Sequence, residues 1–302
     1  VIDGTISLGA GNDLLLNGHG RIEGNVDLGD GDDQYVGGQG DFVNGVTGGL
    51  GNDTYFLRGH LTNIVEAVDG GTADAVQIDV SATLAANVEN LFLVGGEDIS
   101  GRGNVLANQI IGNGGDNRLY GGGGADILLG GVGADLLNGG GGSDTVFYED
   151  SDEGVVVNLA KNTASGGSAD GDKFVSIENL YGSGLADILI GSVASNVIQG
   201  LAGDDKLDGG KGNDFLTGGD GNDTFVFAKG YNHDTIEDFQ INGASADQIN
   251  LHALKAQFSN FADIKAHHMT DHGTDVDITF GTGTLTIINV QKADLTIGDF
   301  VL

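Results

Sequence analysis

The feature that most limits what this chain can fold into is a register of nine. Asp126, Asp135 and Asp144 lie nine residues apart, and the spacing runs back through Asn117 and Asn108. The units read GGGGAD-ILL, GGVGAD-LLN and GGGGSD-TVF from Gly121 onwards. A second array places Asp187, Asn196, Asp205, Asp214 and Asp223 at the same spacing. Six glycine-rich residues make a turn and the last three make a very short strand. Three-residue strands cannot stand alone and need like strands stacked on both sides, which dictates a solenoid. Two units complete one turn of a flattened right-handed coil, so residues eighteen apart stack: Asp126 over Asp144, Asn117 over Asp135, and Asp187, Asp205 and Asp223 in one row. The middle residue of each strand (Leu128, Leu137, Val146, Leu207, Leu216 and Val226) is expected to point inward.

A slower repeat precedes the arrays. GAGND ends at Asp13, GDGDD at Asp33 and GLGND at Asp53, twenty residues apart. Each is followed by an apolar run (Leu14–Leu16, Gln34–Val36, Thr54–Leu57) and then by a second, such as Arg21–Val26 or Leu61–Val65. This reads as a wider coil with two strands per turn, and Asp74 fits a degenerate fourth turn. VENL at Val88–Leu91 and IENL at Ile177–Leu180 each precede an array, which suggests a larger duplication. Beyond Asp223 the pattern breaks. Val276–Phe280 and Leu285–Val290 read as a hairpin, and His252–Ile264 as a helix candidate. The expected organisation is an N-terminal β-solenoid with linking segment over 1–103 and a first β-roll over 104–148. Linking strands and a loop follow over 149–182, then a second β-roll over 183–227 and a C-terminal cap over 228–302. The fold class is all-β, a parallel β-roll or β-helix solenoid closed by a β-rich cap that protects its open edge.

Composition supports this and excludes alternatives. Of 302 residues 57 are Gly and none is Pro, and the glycines lack a three-residue period, so collagen is excluded. Hydrophobic residues at 39% suffice for a core and argue against disorder despite a net charge of -32. That charge opposes binding to nucleic acid or to anionic membrane surfaces. There is no apolar run long enough to span a bilayer. No basic stretch opens the chain, so no classical signal peptide is expected. The chain starts at Val1 and its single Met is Met269, which reads as a fragment or processed product. Zero Cys removes disulfides and thiolate metal sites.

Of the 44 acidic residues 36 are Asp and 8 Glu, a bias a merely solvated surface does not need. Short carboxylates set among glycines leave backbone carbonyls free to turn inward. Calcium takes six to eight oxygen ligands, so one turn supplies about half and the turn eighteen residues away the rest. Magnesium, with its tight octahedron, fits less well. The candidate ligands are the carboxylates of Asp126, Asp135, Asp144, Asp187, Asp205, Asp214 and Asp223 and the amide oxygens of Asn108, Asn117 and Asn196. They include the turns at Gly122, Gly124, Gly131, Gly133, Gly140, Gly142, Gly210, Gly212, Gly219 and Gly221, and Asp33 and Asp53 of the slower repeat. Neutral Asn117 and Asn196 predict weaker or absent sites. The best sites are expected at Asp126/Asp144 and Asp205/Asp223.

Tandem GGxGxD nonapeptides resemble the RTX family of secreted bacterial proteins, whose arrays form a calcium-loaded parallel β-roll. The resemblance implies calcium ligation by Asp126, Asp135, Asp144, Asp205, Asp214 and Asp223 and the turn carbonyls beside them. The stretch from FVFAKGYNHDTIEDF to the terminal DFVL looks like a serralysin-type C-terminal region, which implies export through the type I secretion machinery of a Gram-negative bacterium. The protein would then be extracellular or cell-surface associated and fold outside the cell when it meets calcium.

No catalytic motif stands in the chain: HExxH and GxSxG are both absent. His267, His268 and His272 have metal-like spacing, but a solvated loop is the blander account. The leading reading is a non-enzymatic module for calcium-dependent folding and secretion, with a surface or matrix role and a face that suits a polysaccharide or cell-surface polymer. The alternatives are the C-terminal region of a secreted protease, lipase or polysaccharide-modifying enzyme, and a calcium-dependent adhesin or surface-layer component.

Overall fold

Short parallel strands dominate the computed structural model, which describes residues 1–302 apart from 19–20, 39–43, 61–62, 69 and 242–245. Leu61 and Thr62 of the expected run Leu61–Val65, and His19, lie outside the described residues. The chain divides into two compact units, Val1–Thr145 and Val146–Leu302.

In the first unit one parallel sheet climbs through Leu14–Asn17, Gln34–Gly37, Thr54–Leu57, Ala75–Ile78, Asn90–Leu93, Gln109–Ile111 and Ile127–Leu129. Its register aligns Leu15, Tyr35, Tyr55, Val76, Leu91, Ile110 and Leu128 in one inward row. From Tyr35 to Leu128 every member of that row is buried. Facing it are two shorter sheets. One stacks Ile6–Ala10, Asn25–Asp30, Gly45–Leu50 and Ile64–Val65, and the other Ala82–Thr83, Ser100–Arg102, Arg118–Gly123 and Leu136–Gly141. The alternation of the strands puts every second residue inside. The period-twenty turns therefore bury two residues per strand, as in Gln34–Gly37 and Thr54–Leu57, where the nonapeptide strand Gln109–Ile111 buries one. The expected fourth turn is real: Thr54–Leu57 pairs in register with Ala75–Ile78.

In the second unit Asn179–Tyr181, Val197–Ala202, Phe215–Asp220, His233–Ile236 and Gly283–Ile287 form one parallel run. The other runs through Val156–Asn158, Ile188–Ile190, Lys206–Asp208, Thr224–Val226, Gln248–Asn250 and Phe300–Val301. Leu189, Leu207, Phe225 and Ile249 share one buried row. Phe225 therefore takes the inward position assigned from the sequence to Val226, because the strand begins immediately after Asp223 and its middle residue is Phe225. Val276–Phe280 folds back antiparallel on Gly283–Ile287 and pairs with Met269–Asp271, ending the parallel ladder with a short strand bearing an exposed acid. The helix expected over His252–Ile264 is instead a 3-10 segment at His252–Gln257, a single α-turn at Phe261–Asp263 and a π-turn at Ile264–His268. Asn260 caps the α-turn by accepting the Asp263 amide, which starts a new segment instead of extending the first. Among the described residues no helix is long and apolar enough to cross a membrane.

Candidate calcium centres

Six of the array aspartates share one arrangement. One carboxylate oxygen accepts the backbone N–H of the equivalent residue one coil turn earlier. Asp126 takes the Asn108 amide at 2.7 Å, Asp144 the Asp126 amide at 2.9 Å and Asp135 the Asn117 amide at 2.7 Å. In the second array Asp205 takes Asp187 at 2.8 Å, Asp223 takes Asp205 at 2.9 Å and Asp214 takes Asn196 at 2.8 Å. The carboxylates are thus threaded into columns by the coil itself. All six are at most 1% exposed.

The second oxygen points into the turn. The Oδ2 atoms of Asp126, Asp205, Asp214 and Asp223 are buried and accept no hydrogen bond, as are those of Asp13, Asp33, Asp53 and Asp74. A buried, unsatisfied carboxylate oxygen is costly, and a column of them more so. Desolvation pushes the Asp126 carboxyl up to about 6, against its hydrogen bond from Asn108 and with help from Asp144. Desolvation likewise raises Asp205 to about 7, aided by the charges of Asp187 and Asp223. Burial also raises Asp214 and Asp223. A hard cation answers the geometry and the charge together. All donors are oxygen, which suits calcium.

The glycines divide into two roles. Those at the second and fourth positions, such as Gly122 (φ 113°) and Gly124 (φ 106°), adopt the left-handed conformation that the turn demands. Gly131, Gly133, Gly140, Gly142, Gly210, Gly212, Gly219 and Gly221 follow the same pattern. Those at the first position do something else. A Cβ on Gly121, Gly130, Gly200, Gly209 or Gly218 would land on the Oδ2 of the aspartate five residues later. The same holds at Gly103, Gly112, Gly182 and Gly191, where a Cβ would meet the side-chain oxygen of Asn108, Asn117, Asp187 and Asn196, so the first glycine makes room in every turn for the side chain five residues on. The sequence reading missed this first glycine, although its invariance across the units was the available signal.

The opening turns of each array differ. At Asn108 and Asn117 the amide oxygen accepts an N–H from within its own turn, from Asn104 at 2.8 Å and Asn113 at 2.7 Å. The Asn108 amide nitrogen donates to the carbonyls of Val88 and Glu89, and that of Asn117 to Asn113 Oδ1. Asn196 repeats this with Ser192 and the Glu178 carbonyl. Asn or Ser at the second turn position adds a bond to the fourth-position amide: Asn104 to Leu106, Asn113 to Gly115, Ser183 to Leu185 and Ser192 to Ala194. In these turns the side-chain oxygens already accept hydrogen bonds from within the turn. Asp187 joins them: both its oxygens are occupied, by the amides of Val155 and Ser183 and the Ser183 hydroxyl. The signal for Asp187 was serine at position 183, where the ion-type turns carry glycine or, before Asp205, Leu201.

The columns also run past the repeats. Asp214 donates its amide to Asp234 at 3.2 Å, and Asp223 to Asp247 at 3.0 Å. Desolvation and the neighbouring Asp214 raise Asp234 to about 7, and burial raises Asp247 to about 6. Neither residue follows a glycine turn, so the motif could not find them. In the slower repeat Asp13, Asp33, Asp53 and Asp74 form an equivalent column, at 2.7, 2.8 and 2.7 Å per step. Asp33 and Asp53 are fully buried. The histidine cluster disperses. His267 meets Asp263, His268 the Thr279 carbonyl and the Phe280 ring, and His272 meets Asp277. Two further acids of the cap act as acceptors: Asp275 for the Asn289 amide, and the strand residue Asp277 for the hydroxyl of its cross-strand partner Thr286.

Coil, columns and cradles together define a calcium-binding parallel β-roll. The model of the RTX calcium-binding nonapeptide repeat (4 copies) matches this chain over 102–137, 111–146, 181–216, 190–225 and 202–233. The two arrays are therefore RTX-type calcium-binding repeats. No curated protein sequence matches the chain. Among solved structures, the extracellular lipase LipA from Serratia marcescens is similar at 18% identity over 76% of this chain, with a TM-score of 0.28. The chain spans 45% of that lipase's length. The AlgE6R3 subunit of the Azotobacter vinelandii mannuronan C5-epimerase is similar at 29% identity, over 41% of this chain and 77% of that one, with a TM-score of 0.33.

Proposed function

We propose that this protein is a calcium-dependent folding module of an extracellular bacterial protein, exported unfolded by a type I channel and non-catalytic in itself. In this reading Asp126, Asp135, Asp144, Asp205, Asp214 and Asp223, with the carbonyls of their glycine turns, hold the ions. Residues 104–148 and 183–227 are the two ion-driven rolls and 228–302 carries the cap and export signal. The observation that supports it is the column of buried carboxylate oxygens without a hydrogen-bond donor. With a net charge of -32, the ion-free chain is held open by its own repulsion. Each ion adds two positive charges where the carboxylates crowd, so binding free energy becomes folding free energy. A cytoplasm poor in calcium would keep the chain threadable, and the outside would fold it.

Far-UV circular dichroism of metal-stripped protein titrated with calcium tests the folding half: β signal should be small at first and rise cooperatively. A full β signal without calcium would refute it. For export, a passenger fused to residues 228–302 should leave cells that carry a type I exporter and remain inside cells that lack one.

A further inference from the structure

The N-terminal coil brings Glu66, which no turn motif accounts for, against two turn aspartates, Asp53 and Asp74. Asp53, Glu66 and Asp74 each bring a carboxylate oxygen within 4.8 Å of the other two. Asp53 and Asp74 are fully buried and Glu66 is 6% exposed. Asp53 spends one oxygen on the Asp33 amide and Asp74 one on the Asp53 amide. Their Oδ2 atoms accept nothing. Glu66 enters from the opposite side of the coil, one residue beyond the strand Ile64–Val65. Its Oε1 accepts the Tyr55 hydroxyl, and its Oε2 the Gly49 amide at 3.4 Å. A Cβ on Gly48 would collide with Asp53 Oδ2, Glu66 Oε1 and the Tyr55 hydroxyl together, so these three oxygens converge on one small space beside a glycine.

Three carboxylates sealed together need a compensating charge. Among the described residues no ion pair reaches any of them. Tyr55 supplies one proton to Glu66 and nothing to the two orphaned Asp oxygens. The donors are all oxygen, without nitrogen or sulfur, and come from three separate stretches of chain. That set matches a hard cation of loose coordination geometry, calcium before magnesium. We propose that Asp53, Glu66 and Asp74, with the Tyr55 hydroxyl beside them, form an internal calcium site of the N-terminal coil, distinct from the nonapeptide turns. It lies outside the segments matched by the repeat family, which begin at residue 102. It differs from an array turn in using three carboxylates and a side chain from the facing sheet. The site therefore ties the two faces of the coil together, where an array ion ties one turn to the next.

The site is tested on the full chain with two variants. Glu66→Gln keeps the shape and an acceptor for Tyr55 but removes a charge. Isothermal titration with calcium should then show one fewer ion per chain, with the remaining sites unchanged. The same stoichiometry and isotherm as the parent would overturn the proposal. Terbium gives a second readout, because the chain has no Trp and Tyr is the main sensitiser. Tyr55→Phe removes one hydroxyl and should remove a distinct component of tyrosine-sensitised terbium emission while leaving array-driven folding intact. Emission identical to the parent places no ion beside Tyr55 and sinks the idea. Should Glu66→Gln stay unfolded in calcium, the Tyr55→Phe comparison alone decides.

Discussion

The wide N-terminal coil and the nonapeptide arrays solve the same stacking problem with different resources. The arrays alternate three-residue strands, as at Gln109–Ile111 and Lys206–Asp208 with a single buried side chain, with six-residue strands such as Arg118–Gly123 that run on into the glycine turn. The wide coil uses four-residue strands with two buried residues on one face, as at Gln34–Gly37 and Thr54–Leu57, and buries Tyr35 and Tyr55 completely. Fully burying a large apolar side chain contributes about 1.5–3 kcal/mol, so each wide turn carries more cohesion of its own. It also leaves interior room for Glu66. In an array turn the free carboxylate oxygen sits instead against the first-position glycine, as Asp126 Oδ2 does against Gly121. The ion is then a larger share of what holds an array turn than of what holds a wide one.

The largest expected effect follows from that difference. Stripping calcium should abolish amide-exchange protection at Leu128, Leu137, Leu207 and Leu216 while residual protection persists at Tyr35 and Tyr55. Exchange followed by mass spectrometry reads both regions in one sample. If the wide coil loses protection first, the ranking of ion dependence is wrong. A narrower blow should come from Gly200→Ala. Its methyl would fall on Asp205 Oδ2 and 2.6 Å from the Gly218 carbonyl. Overpacking of this kind costs about 1–3 kcal/mol, and here the loss of a bound ion adds to it. Calcium titration should show a site lost from the second array, with the wide coil unaffected.

Much of this architecture was legible because the determinants are local and repeated. The nine-residue register fixes which residues stack, and Asp126 over Asp144 follows from counting alone. What counting could not supply is three-dimensional. Glu66 reaches Asp53 across the coil interior, thirteen residues away in no repeating relation. Asp234 and Asp247 extend the columns from segments that have lost the glycines. Asp187 obeys the register, yet its oxygens already accept from Val155 and Ser183, a difference that position alone does not reveal. The histidines fail in the opposite sense: His268 and His272 have ligand spacing, but a π-turn and a strand send them to separate partners.

Proton competition should distinguish the two regions less sharply than calcium does, because both bury carboxyls. In the ion-free fold Asp53 and Asp74 titrate near 6, chiefly through desolvation, as Asp126 does, and Asp205 near 7. These values lie above the ordinary 3.8. The folded form therefore binds protons more tightly than the unfolded chain. The resulting stabilisation is fully present below the unfolded value and is lost as pH rises through 6 to 7. Calcium-free protein should gain β signal on acidification from pH 8 towards 4, the reverse of ordinary acid denaturation. Calcium affinity should fall over the same window as protons take the ligand oxygens. A calcium-free β signal that stays flat or declines on acidification would show that these carboxyls are not buried in the ion-free ensemble.

The smallest effect concerns one irregular turn. Leu201 occupies the second position before Asp205 with φ 81°, where the equivalent residues are Gly122, Gly131, Gly140, Gly210 and Gly219. A left-handed backbone costs an L-residue about 1–2 kcal/mol, whereas glycine adopts it freely. Replacing leucine loses little packing, since Leu201 is only half-buried, and its Cα partner across the ladder is Gly219. Glycine gives back about 0.5–1 kcal/mol through the added freedom of the unfolded chain. Leu201→Gly should therefore stabilise the calcium-bound second array by about 0.5–1 kcal/mol. Denaturant titration in saturating calcium would measure it. A loss of stability would mean that the leucine side chain, and not the turn backbone, sets the energetics of this turn, so that arrays also draw on side-chain cohesion.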